Sequence, residues 1–146
     1  MSDGDKTFAE RQAIGYNHGE KLFEEYCKQK GYKVTRLGFD EKNNPVDNYF
    51  RLSHVIRNLP DYVVNTGKET FVVNVKGTRN FKKEELANLV AYEEMFSTKE
   101  APLVYAFCFS DKPPIMVFPE KIIFLYQQEQ DQQFASDGKI YRKLNV

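Results

Sequence analysis

A chain of 146 residues with 41% hydrophobic and 14% aromatic side chains is long enough for one hydrophobic core and too short for two independent ones. Its 21 basic and 21 acidic side chains cancel, so overall charge gives no general attraction for polyanions, and any nucleic-acid binding has to come from a local site. The composition excludes disorder over most of the length, and no apolar run approaches the roughly 20 residues that span a bilayer.

The first ten residues, MSDGDKTFAE, are acidic and polar where a signal peptide is basic and then apolar, so a cytoplasmic protein with no membrane contact is expected. Residues 5–30 read as a long amphipathic helix stopped by Gly31. Its core stripe is expected from Tyr16, Gly19, Leu22, Phe23, Tyr26 and Cys27, with Glu20 on the border and Glu24 and Glu25 further out. A short alternating strand follows at 32–38, and after a polar stretch Tyr49, Leu52, Ile56 and Leu59 recur at helical spacing behind Asp47, an N-cap residue type. The β-branched runs 61–65 and 70–76, separated by a turn at Gly67, predict a hairpin. A second helix is expected over 82–98, with Leu86, Leu89, Val90 and Phe96 on its buried face. Residues 102–110 form a near-continuous apolar run, as a strand buried on both faces requires. A turn at Asp111–Pro114 then leads to another strand over 114–118. Residues 121–126 suit either a strand or a short helix, 127–133 are polar and expected to be exposed, and 138–144 suit an edge strand. Cys27 and Cys108 sit among apolar neighbours with no metal or redox spacing, which predicts buried free thiols in a reducing compartment.

This element order predicts an α/β fold, a mixed central sheet flanked by helices, in a single domain over 1–146. The candidate chemistry lies on the hairpin and the first helix. Asp61 follows Pro60 at the head of one strand, Asn74-Val75-Lys76 ends the next after twelve intervening residues, and Glu20 borders the helix stripe. This pattern resembles the PD-(D/E)XK, or restriction-endonuclease-like, nuclease superfamily, whose signature is Pro-Asp, a gap of variable length, then acid-any-Lys on the adjacent strand. The resemblance covers about residues 10–110, leaving C-terminal strands and a polar tail over 111–146. It implies an αβββαβ core, metal-dependent hydrolysis of nucleic-acid phosphodiester bonds, and a supporting role for a first-helix glutamate, here Glu20.

The residue types suit that chemistry. Hydrolysing a phosphodiester needs a hard cation such as Mg²⁺ or Mn²⁺, held by carboxylate oxygens, and an ammonium group to offset charge on the phosphate. Asp61, position 74 and Lys76 are expected on one face of neighbouring strands, because side chains at i and i+2 project alike. Asp61 and Glu20 are then the expected metal ligands, Asn74 a neutral carbonyl donor and Lys76 the charge stabiliser. Position 74 departs from the superfamily pattern, since asparagine brings no charge. At an effective dielectric of about 20, a unit charge lost at about 4 Å forgoes roughly 4 kcal/mol. The superfamily sometimes moves this acid to the following helix, where Glu84, Glu85 and Glu93 are the candidates. Asn88 and Tyr92 are similar to the Gln-x-x-x-Tyr helix pattern of its RecB-like branch. Arg79, Lys82 and Lys83, directly after the proposed site and at a helix start, are expected to contact the nucleic-acid backbone. The alternative reading is a nuclease-fold module that has lost catalysis and binds nucleic acid or a protein partner, and a homodimer fits either reading.

Overall fold

A computed structural model describes residues 18–37 and 58–146. Five strands form the central sheet: β1 (Lys33–Arg36), β2 (Tyr62–Asn65), β3 (Thr70–Lys76), β5 (Leu103–Phe109) and β6 (Lys112–Val117), in the order β1-β2-β3-β5-β6. The β3–β5 pair is parallel and the other three are antiparallel, so the sheet is mixed as expected. A smaller antiparallel sheet joins β4 (Asn80–Lys82), β8 (Ile140–Lys143) and β7 (Gln132–Gln133), with β8 in the middle. Among the described residues four helices flank these sheets: α1 (His18–Lys30), α2 (Lys83–Ala87), α3 (Leu89–Phe96) and α4 (Pro119–Gln127). Reading α2 and α3 as one interrupted helix and β4 as an addition, the predicted αβββαβ order holds.

Each face of the central sheet carries its own core. Phe23 and Cys27 of α1 pack on Tyr62, Val64, Val73, Val75, Ala106 and Cys108. On the opposite face Leu103, Tyr105 and Phe107 pack with Phe81, Leu89, Ile122 and Tyr126. The alternation of side chains along β2, β3 and β5 produces this division. Strand β5, flanked by β3 and β6, is buried from Leu103 to Cys108, which is why its sequence reads as a continuous apolar run.

Several local expectations hold. Helix α1 ends in a Schellman arrangement: Gly31 N–H donates to the Lys28 carbonyl at 3.1 Å and Tyr32 N–H to the Cys27 carbonyl at 2.9 Å, with Gly31 at φ 74°. The hairpin turns at Gly67, and Cys27 and Cys108 are free and buried. The expected helix behind Asp47 and the N-terminal half of the first helix, including Tyr16, fall outside the described residues.

Others are corrected. The helix predicted over 82–98 breaks at Asn88, whose side-chain Nδ2 donates to the Glu84 carbonyl at 2.9 Å. The break shifts the helical phase, so Leu89 is buried while Val90 is 57% exposed. The turn predicted at Asp111–Pro114 is confined to Ser110–Asp111, and Pro113 and Pro114 belong to β6. That strand is the sheet edge, where a missing N–H breaks no ladder. Residues 121–126 are helical within α4, which starts with Pro119 in its first turn and buries Ile122 and Tyr126 one turn apart. The last strand is central to the small sheet, because β4 and β7, which sequence reading does not register, close on its two sides. Among the described residues no helix is long and apolar enough to cross a membrane.

Candidate active site at one end of the central sheet

The hairpin register sets the site. Pairing of Tyr62 with Val73 leaves Asp61 beside Asn74 on the face away from α1. Asp61 N–H donates to Asn74 Oδ1 at 3.3 Å, and Val75 N–H donates to Asp61 Oδ2 at 2.8 Å. The two side chains thus each bond the opposite strand's backbone. The amide nitrogen of Asn74 donates to the Tyr92 hydroxyl at 3.1 Å, and the Asp61 N–H, which can only donate, sets the amide oxygen toward Asp61. Parallel pairing of β3 with β5 brings Tyr105, 4% exposed, alongside Asn74.

Lys76 projects from the same face as Asn74, and its Nζ donates to Glu85 Oε2 at 2.5 Å while lying 5.0 Å from the centre of the Phe81 ring. Glu85 owes its position to helix start chemistry. Its Oε1 accepts the Lys82 backbone N–H at 3.4 Å, one half of a capping box at the first turn of α2. Asp61, Asn74, Lys76, Glu85, Tyr92 and Tyr105 line one pocket of about 440 Å³, and Glu84 and Asn88 sit on its wall. Burial holds the Asp61 carboxyl above the ordinary carboxylate range; the Val75 N–H and the cations of Lys76 and Arg36 offset this in part, and Glu85 adds to it. Burial also pushes the Tyr92 hydroxyl up to about 12, against the lowering effect of its Asn74 bond.

Glu20 is buried as the helix projection predicts, but it is not among the residues lining this pocket. It sits in the first turn of α1, at the same end of the sheet as Asp61 and on the opposite face. There Arg36 Nη2 donates to Glu20 Oε2 at 3.0 Å. Arg36 Nη1 donates to the Tyr62 hydroxyl at 2.9 Å, and that hydroxyl donates to Glu24 Oε2 at 2.7 Å. Glu24, expected to point outward, is therefore part of this network. Its cation, Arg36, is the electrostatic link between Glu20 and the pocket, because the guanidinium charge reaches Asp61.

The rival acids on the following helices separate cleanly. Glu84 and Glu85 line the pocket and Glu93, half-buried on α3, does not. Arg79 turns away from it: its guanidinium carbon lies 4.3 Å from the centre of the Phe109 ring and Nε donates to the Val146 carbonyl at 3.4 Å. Lys82 and Lys83 line a neighbouring groove. Sequence reading misses Arg36, Tyr62 and Tyr105. A single signal marked the last of these, a hydroxyl inside an otherwise apolar run.

Among the described residues, no group of three His, Cys, Asp or Glu side chains converges at metal-binding distance. The donors present are all oxygen: the buried Asp61 carboxylate, the Asn74 carbonyl with a second lone pair, and the Glu85 carboxylate. Such a set fits a small hard cation that is held by one or two carboxylates and keeps several of its waters.

No family model matches the chain, and no curated protein matches it. Among solved structures it is similar to Hjc, a Holliday junction resolvase from Archaeoglobus fulgidus, with a TM-score of 0.46 and 12% identity over 84% of each chain.

Proposed function

We propose that the chain hydrolyses phosphodiester bonds of nucleic acid with Mg²⁺ or Mn²⁺ in the Asp61 pocket. The observation that carries this reading is the convergence of Asp61, just before β2, Asn74 and Lys76 of β3 and Glu85 of α2 on one pocket of about 440 Å³. Asp61 and Glu85 are the acidic ligands, so Glu85 supplies the carboxylate that position 74 lacks, and Asn74 adds a neutral carbonyl oxygen. When bound, the cation neutralises charge on the scissile phosphate and acidifies an attacking water. Lys76 carries its charge at the pocket wall, where an ammonium stabilises negative charge developing on a phosphate oxygen. Glu20 acts at one remove: it holds Arg36, and the Arg36 charge favours the ionised form of Asp61.

One observation favours a second reading. Lys76 is already paired with Glu85, and position 74 is uncharged, as expected of a nuclease-fold module that binds nucleic acid without cutting it. Single- and double-stranded DNA and RNA, with branched DNA added, decide between the two when incubated with Mg²⁺ or Mn²⁺. Cleavage that stops with a chelator and is lost in Asp61→Ala and in Lys76→Ala is the expected result; binding without cleavage across the panel selects the module. Asn74→Asp restores a charge at about 4 Å, so metal affinity by calorimetry should rise at least about tenfold. Unchanged affinity would remove position 74 from the site.

A further inference from the structure

Beside the candidate pocket lies a second groove of about 500 Å³, and the two share Glu84 as a common wall. We infer that this groove, through Lys82, Lys83 and Lys139, tracks the sugar-phosphate backbone of the strand entering the pocket; the inference rests on the nucleic-acid reading above.

The three lysines come from distant parts of the chain. Lys82 ends β4, Lys83 opens α2, and Lys139 precedes β8, and the pairing of Lys82 with Tyr141 brings the last of these to the first two. Lys82 is steadied from below, its Nζ 6.0 Å from the centre of the Phe134 ring, which is stacked on Tyr141 at 4.1 Å. The cations are not consumed internally. Lys83 makes no ion pair with a described residue, and Lys139 meets Glu84 only at 4.0 Å, with side chains 46% and 73% exposed, a pairing of little worth in water. Asp137, the other acid of the lining, spends one carboxylate oxygen on the Lys139 backbone N–H at 2.9 Å. Three ammonium groups against two carboxylates leave the groove net positive in a chain whose overall charge is zero. Exposed lysines that behave as point charges suit a repeating phosphate and carry no base preference.

The test measures binding of the full chain to a fluorescein-labelled oligothymidylate of about 20 nucleotides by anisotropy, with chelator present so that no cutting intervenes, across a salt series. Each of Lys83→Ala and Lys139→Ala should weaken binding several-fold and lower the slope of log affinity against log salt by about 0.7, the double variant by about twice that. Lys83→Arg should keep the slope, and Lys121→Ala on α4, which removes the same charge elsewhere, should leave it unchanged. An unaltered slope in the double variant overturns the inference, as does an equal loss in Lys121→Ala or an absence of binding by the unsubstituted chain. Cleavage that persists while the slope does not respond sinks the groove alone. A responding slope in a chain that never cuts supports the groove and sinks the hydrolytic reading instead.

Discussion

The Asp61 carboxylate is buried and accepts the Val75 N–H, and these act in opposite directions on its proton. Burial dominates, so the folded state favours the protonated carboxyl more than the unfolded chain does. A carboxyl whose pKa rises on folding stabilises the fold below the unfolded value, here the ordinary 3.8, and loses that contribution as pH rises through the folded value. Asp61→Asn, which keeps an oxygen for the Val75 N–H, should therefore be more stable than the natural chain at about pH 7 without metal. The difference should close as pH falls toward about 4, as read from paired thermal melts. Metal binding has the complementary dependence: it releases the Asp61 proton and strengthens with pH over the same range. Asp61, Asn74 and Lys76 were legible because their spacing on a hairpin needs only strand alternation. Arg36 was not legible, since its effect on Asp61 depends on how β1 lies against β2. Sequence also left Glu84, Glu85 and Glu93 as rivals, and the capping box at Lys82 is what brings Glu85 to Lys76.

At the level of elements, α1 and the hairpin carry the parts of the fold that local chemistry dictates. Gly31 has a left-handed backbone, and a Cβ added there would meet nothing within 4 Å, so substitution costs backbone conformation alone. Gly31→Ala should lower the unfolding free energy by about 1 kcal/mol, seen as a reduced urea midpoint with unchanged denaturant slope. Gly31→Asn should lose less, because asparagine tolerates this region. Within α3, Tyr92 and Phe96 lie one turn apart on one side, their rings 4.8 Å apart, and the Tyr92 hydroxyl reaches Asn74. A straight helix with the phase read from Leu86, Leu89 and Val90 would bury Val90 instead. Periodicity averages over such a break, which falls where Asn88 leaves helical geometry at φ −99° and ψ 0°.

Across the whole molecule, the central sheet separates two sets of side chains by face. The α1 face carries one core and the Glu20–Arg36–Tyr62–Glu24 network, and the other face carries the second core and the pocket. Both cysteines lie in the α1 core at 1% exposure, and burial pushes the Cys27 thiol up to about 11 and the Cys108 thiol up to about 12. Neither thiol should react with a disulfide reagent in the native state at about pH 8, and both should react together at the rate of global unfolding. Faster labelling of Cys27 alone would show that α1 detaches from the sheet as a separate unit. Lys83 and Lys139 make the opposite contrast: both are exposed, and the pairing of β8 with β4 brings them together.

The amino-acid sequence by itself determined the stop of α1, the hairpin, the doubly buried β5 and the spacing of Asp61, Asn74 and Lys76. Each of these follows from the backbone preference of one residue or from side-chain alternation within a few neighbours. Tertiary structure alone decided that Glu20 falls across the sheet from the pocket and that Lys139 joins Lys82 and Lys83. These depend on which surfaces pack and which strands pair at long range, and a linear periodicity carries no information on either.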